Sequence, residues 1–158
     1  MITVRKTPNA DTRTATGEIT KELLESESRK HIEDVGKGMD WIANEISLTG
    51  KEHDWTKMDY LDMFYEDVCT VQNNPNIEFT GLPWDRLHCN KERHHLNDTV
   101  PVDVNLIDMI ELVVDCVMAG LGRSGEIRKD FFNIPNEVLQ EAVWNTAKLL
   151  EKQCIVGD

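Results

Sequence analysis

Residues 104–119 form the densest apolar stretch of the chain, with Leu106, Ile110, Val113 and Val117 returning at three- and four-residue steps. A stripe of that period belongs to a helix with one buried face, so the other elements must be able to cover it. Two further stretches carry the same period. Ile32, Val35, Met39, Ile42 and Ile46 mark a helix beginning after Glu18, and Met58, Leu61, Tyr65 and Val68 mark one over residues 54–71. A last helix is expected after Pro135, through Val138, Leu139, Ala142, Val143, Leu149 and Leu150. Nothing in the pattern alternates strand with helix, and no segment repeats. The expectation is an all-α fold: a compact helical domain over residues 18–158, preceded by a flexible or extended arm over residues 1–17.

Turn chemistry separates these helices. Asn73, Asn74, Pro75, Asn76, Gly81 and Pro83 make residues 72–86 a loop, and Pro101 closes a turn over residues 97–102. Gly120-Leu121-Gly122 is expected to stop the apolar helix. Gly120-x-Gly122-x-x-Gly125 has dinucleotide-fingerprint spacing but follows a helix rather than a strand, so it is read as helix-ending chemistry.

Composition narrows the function classes. A chain of 158 residues is most economically one domain with a real core. A formal charge of −12 argues against extended nucleic acid as a partner, while one small phosphorylated ligand stays open. Cys69, Cys89, Cys116 and Cys154 form no CxxC pair and read as free thiols in a reducing compartment. No signal-peptide run and no membrane-length apolar run occur, so a soluble, cytoplasmic protein is expected.

Candidate ligands border the apolar stripes. His31 lies in line with Val35, Gly38 and Ile42; Asp54 with Met58, Leu61 and Tyr65; Asp115 with Leu112, Glu111 and Asp108. A carboxylate beside a core is costly unless paired or bound to metal. Adjacent helical residues point about 100° apart, so His53 and Asp54 can share a ligand only at a helix start or a distortion. Asp59, Asp62, Glu66 and Asp67 read as a solvated helix face. Trp41, Trp55 and Trp144 read as core or pocket wall, with Trp55 able to stack a base.

The order His31, His53-Asp54, Asp115 resembles that of the HD-domain superfamily of metal-dependent phosphohydrolases. Three stretches look more closely like a small phage and bacterial HD-like family of uncharacterised function. They are His53-Asp54-Trp55-Thr56-Lys57, His88-x-Asn90-x-x-x-His94-His95, and Asp108-Met109-Ile110-Glu111 through Asp115. The likeness spans roughly residues 31–120. It implies a divalent ion on His31, His53, Asp54 and Asp115, and mixed imidazole and carboxylate donors suit manganese, cobalt, iron, nickel or zinc. A host cytoplasm is implied if the chain is phage-encoded, and small domains of the superfamily often form homodimers.

Roles follow from the same likeness. Lys57 is placed to neutralise a phosphate, with Arg93 and Arg123 as further candidates. One of His94 and His95 is expected to hold a phosphate oxygen or protonate the leaving group, and His88 stands between core packing and site duty. Glu111 is expected to orient a ligand histidine or activate water. Many nucleotide-cleaving relatives carry an acid shortly after the HD pair. Here the third position after Asp54 is Lys57, and the first acid is Asp59. The expected function is hydrolysis of a small phosphate ester, a nucleotide or deoxynucleotide. The alternative is a non-catalytic metal protein that binds a nucleotide or signalling molecule, and a third reading is a zinc-stabilised interaction protein.

Overall fold

The computed structural model describes residues 1–10, 13, 15–127 and 133–157. Over these residues the chain is mainly helical, in the order β1 (Ile2–Arg5), α1 (Lys21–Glu52), α2 (Trp55–Asp59), α3 (Leu61–Asn73), α4 (Pro83–Lys91), α5 (Leu106–Ser124), α6 (Asn136–Gln153) and β2 (Cys154–Gly157). The all-α expectation needs one correction. β1 and β2 form a parallel pair, Ile2 opposite Cys154 through Arg5 opposite Gly157. Ile2, Thr3, Val4, Ile155 and Val156 are β-branched and favour such pairing, but four-residue strands far apart in sequence show no alternation to detect. Part of the expected arm is therefore strand.

The chain divides into two compact units, Met1–Glu45 with Ala147–Asp158, and Ile46–Thr146. In the first, Thr20 caps α1 by accepting the Leu23 N–H at 3.1 Å. Glu25–Arg29 and Glu33–Lys37 pairs line its surface one turn apart. Gly38 is buried and faces Leu150 of α6. The apolar line expected to be buried on α1 lies in water instead: Ile32, Val35 and Met39 are 68%, 50% and 63% exposed. Among the described residues of this unit, two short strands and the end of α6 are the elements that accompany the helix.

The second unit holds the main core, built from Leu96, Val104, Met109, Leu112, Cys116 and Ala142. Leu106, Val117, Ile134 and Val138 pack against it. The buried line of α5 is thus Met109, Leu112 and Cys116, about one residue round from the expected stripe, and Ile110 and Val113 are exposed. α5 also runs past Gly120 and Gly122. It ends at Gly125, whose φ of 75° lies in the left-handed region that glycine occupies without strain. The helix expected over residues 54–71 is broken at Tyr60 into α2 and α3, and Met58, Leu61 and Tyr65 are exposed.

Two caps fix where the helices of this unit begin. Asn105 accepts the N–H groups of Ile107 and Asp108, while Asp108 accepts the Asn105 N–H at 2.8 Å, a capping box. Asp67, expected on a solvated face, is buried and accepts the Trp84 N–H at 2.8 Å, which caps α4 from α3. Asn105→Ala should cost about 1 kcal/mol, within the range for losing an N-cap side chain. A urea midpoint unchanged from the parent would show that the Asp108 half of the box suffices alone.

Candidate metal centre

Immediately after α1, Asp54 takes φ 57° and ψ 27°, the only positive φ outside glycine among the described residues. Aspartate tolerates this left-handed conformation better than most residues. The turn it makes redirects the chain into α2 and lets neighbouring side chains converge. His53 Nε2 lies 3.3 Å from Asp54 Oδ2 and 3.4 Å from Asp115 Oδ1, the latter delivered by α5. One turn earlier on α5, Glu111 Oε1 lies 2.9 Å from His53 Nδ1. A carboxylate only accepts, so Nδ1 carries a proton, and Nε2 is the nitrogen that faces Asp54 and Asp115.

A second set of donors meets Asp54 from the other side. His88 on α4 and His94 in the following turn bring Nε2 to 3.5 and 3.7 Å from Asp54 Oδ1. His95 Nε2 lies 2.8 Å from His88 Nε2. One donor atom from each of Asp54, His88, His94 and His95 lies within 4.8 Å of the others. His88 is fixed from behind by a relay. Thr56 Oγ1 donates to Glu92 Oε1 at 2.7 Å and therefore accepts from His88 Nδ1 at 2.6 Å, which leaves His88 Nε2 with a lone pair facing inward. Thr56 N–H also donates to Glu92, and Trp84 stacks on the His88 ring at 4.5 Å.

His94 stands between the two sets and is 1% exposed. Nδ1 lies 3.1 Å from Glu111 Oε1, ion-pair distance, yet neither ring nitrogen makes a hydrogen bond of acceptable angle. Buried polar atoms are nearly always satisfied, so an imidazole with two unsatisfied nitrogens inside a ring of donors calls for a ligand.

Electrostatics act unevenly on the donors. Burial pushes the His88 imidazole down to about 4, and neighbouring His95 adds to the shift. Burial, then His94, lowers His95. Burial opposes ionisation of Asp54, but Lys57 outweighs it and holds the carboxyl below its usual range. Glu111 is likewise lowered: His94 and then His53 overcome its burial. His94 is raised, because Glu111 outweighs the burial that would lower it.

The remaining expected site residues are distributed unevenly. Lys57 Nζ pairs with Asp54 Oδ2. Trp55 opens α2, is 38% exposed, and has Lys91 over its ring at 5.6 Å. Arg93, expected as a further phosphate candidate, is held by acidic partners. Its guanidinium forks onto buried Asp108 at 2.7 and 2.9 Å and reaches Asp103 at 3.0 Å. Arg123 is exposed in the last turn of α5. His31 is exposed, lies in the first unit beside Arg5, Lys30 and Asp34, and belongs to none of the donor groups. The reason is helical continuity: one helix, α1, carries His31 and runs on to deliver His53, so no turn intervenes to fold the first back onto the second. Thr56 and Glu92 were missed as supports. Position inside the His53–Lys57 motif and three residues before His95 was their only signal.

Beside His53, Glu111 and Asp115 opens a cavity of about 240 Å³ whose other walls are mainly apolar. No family model, curated protein or solved structure matches the chain. Among the described residues no helix is long and apolar enough to cross a membrane.

Proposed function

We propose that this chain is a metal-dependent phosphohydrolase acting on a small phosphate ester, of the kind its resemblance to the HD-domain superfamily implies. The observation that carries this reading is the meeting of His53, Asp54 and Asp115 with the orphaned, buried His94. The residues fit a divalent transition metal: imidazole and carboxylate donors, no opposing cation except Lys57 among the described residues, and two histidines each tied by their far nitrogen to a supporting group. His53, Asp54 and Asp115 would hold one ion. Asp54, His88, His94 and His95 would hold a second, with Asp54 shared. The support comes through His53-Asp54 and Asp115 and not through His31.

Bound there, a divalent ion supplies a Lewis acid for a phosphoryl oxygen. The chain supplies the rest. Glu111 fixes the tautomer of His53, and the Glu92–Thr56 relay fixes that of His88. Lys57, held on Asp54 Oδ2 and partly open to solvent, brings a positive charge to the rim, where a phosphate dianion needs one. His95, half-buried with Nε2 beside His88 and Nδ1 toward Asp98, would complete the second donor set.

Purified protein loaded with manganese or cobalt should release inorganic phosphate from members of a phosphate-ester panel, and chelation should end it. Metal bound with no release from any member overturns the hydrolase. Lys57→Ala should weaken competitive inhibition by inorganic phosphate severalfold while metal content stays unchanged; loss of both would make Lys57 structural. One observation favours the alternative of binding without turnover. The position where relatives carry an acid is Lys57, and Asp59 is exposed at the end of α2.

A further inference from the structure

The cavity beside His53 is chemically one-sided. His53, Glu111 and Asp115 form one wall, while Ile46, Ile107, Ile110, Val114 and Met118 supply the apolar remainder. Among the described residues neither lysine nor arginine lines it, and outside that polar wall Thr49 offers the one side-chain hydrogen-bonding group. Its volume of about 240 Å³ lies below the roughly 300–1,000 Å³ typical of pockets for drug-sized ligands.

Each property excludes something. A di- or triphosphate tail placed here would lie along isoleucine, valine and methionine side chains, with no lysine or arginine among the described lining residues to pair its charge. A nucleobase carries several donors and acceptors at its edge, and Thr49 can satisfy few of them. Glu111 and His53 are already committed to each other. A ribose would bury hydroxyls against isoleucine and methionine. A compact uncharged hydrocarbon group meets none of these objections, and it gains from leaving water.

We propose that this cavity seats the organic group of the substrate, and that the substrate class is the monophosphate ester of a small apolar alcohol or phenol. This rests on the phosphohydrolase reading for its chemistry but on the cavity walls for its selectivity. In the reaction, the oxygen of water bonds to phosphorus as the bond from phosphorus to the alcohol oxygen breaks. The alcohol leaves with one of the water's protons and inorganic phosphate keeps the other. The apolar wall selects among esters that present the same phosphate.

The test separates binding from turnover. Phenylphosphonate and methylphosphonate are titrated into the manganese-loaded full chain by calorimetry, and phosphate release is compared for phenyl phosphate, glycerol 1-phosphate and a nucleoside triphosphate. Phenylphosphonate should bind at least about tenfold more tightly than methylphosphonate, as burial of a ring predicts. Phenyl phosphate should be the preferred ester. Val114→Asp should remove the phenyl preference with metal content unchanged, and Met118→Glu should do the same if that variant fails to fold. Equal affinity for the two phosphonates, or a phenyl preference that survives both variants, overturns the proposal. Val114-dependent binding of phenylphosphonate without release from any ester upholds the cavity assignment and removes the hydrolase reading alone.

Discussion

Asp54→Asn should strip divalent metal from the protein while leaving its helices in place. Asparagine also tolerates the left-handed conformation that Asp54 adopts, so the junction of α1 and α2 keeps its path. What disappears is the anion common to both donor sets: Oδ2 faces His53, and Oδ1 faces His88 and His94. Loss of a merely supporting residue typically lowers metal affinity about 10–100-fold, and loss of a shared ligand should exceed that. Manganese titration and elemental analysis after dialysis read the outcome, and circular dichroism reports the fold. A variant that keeps its full metal content would sink the assignment of Asp54, and with it the two-ion arrangement.

Trp84→Ala should bring the largest loss of stability, about 3–5 kcal/mol, as for other truncations of buried tryptophan. The ring is 3% exposed and stacks on Phe64 at 4.0 Å and on His88 at 4.5 Å, so truncation opens a cavity between helix packing and site. It also removes the indole N–H that approaches the Thr56 carbonyl at 3.4 Å. Trp84→Phe should recover much of the loss by refilling the space. Urea unfolding of both variants decides the matter. An alanine variant as stable as the parent would mean that the Phe64–Trp84–His88 stack bears no weight.

These two residues also mark what could be read from the sequence. The helical class was visible in three- and four-residue periods, and the terminal strand pair was not, because short partners so far apart leave no local pattern. Helix phase was the weak point. The line Leu106, Ile110, Val113, Val117 and the true buried line Met109, Leu112, Cys116 are both apolar, and periodicity alone does not choose between neighbouring faces. Exposure of Ile32, Val35 and Met39 has the same origin, since an apolar stripe states a preference for burial without supplying a partner. At the site, His53-Asp54 and the α5 acids Glu111 and Asp115 were legible through motif order. The histidines of the second set were legible as residues but not as donors facing Asp54. Their convergence depends on the Asp54 backbone turn and on the Thr56–Glu92 relay, both tertiary facts. The Arg93 fork onto Asp108, which also caps α5, was not legible, because it joins residues fifteen apart through a tertiary contact.

The parallel pairing of Ile2–Arg5 with Cys154–Gly157 has a consequence for biosynthesis. The unit that contains it draws on segments from both sides of the other, so it cannot close on a ribosome until Gly157 has emerged. Ile46–Thr146 is one uninterrupted stretch and suffers no such delay. Closing the longer loop is entropically slower as well. Vectorial synthesis therefore favours assembly of the histidine-lined donor cluster first, with the strand pair zipped last.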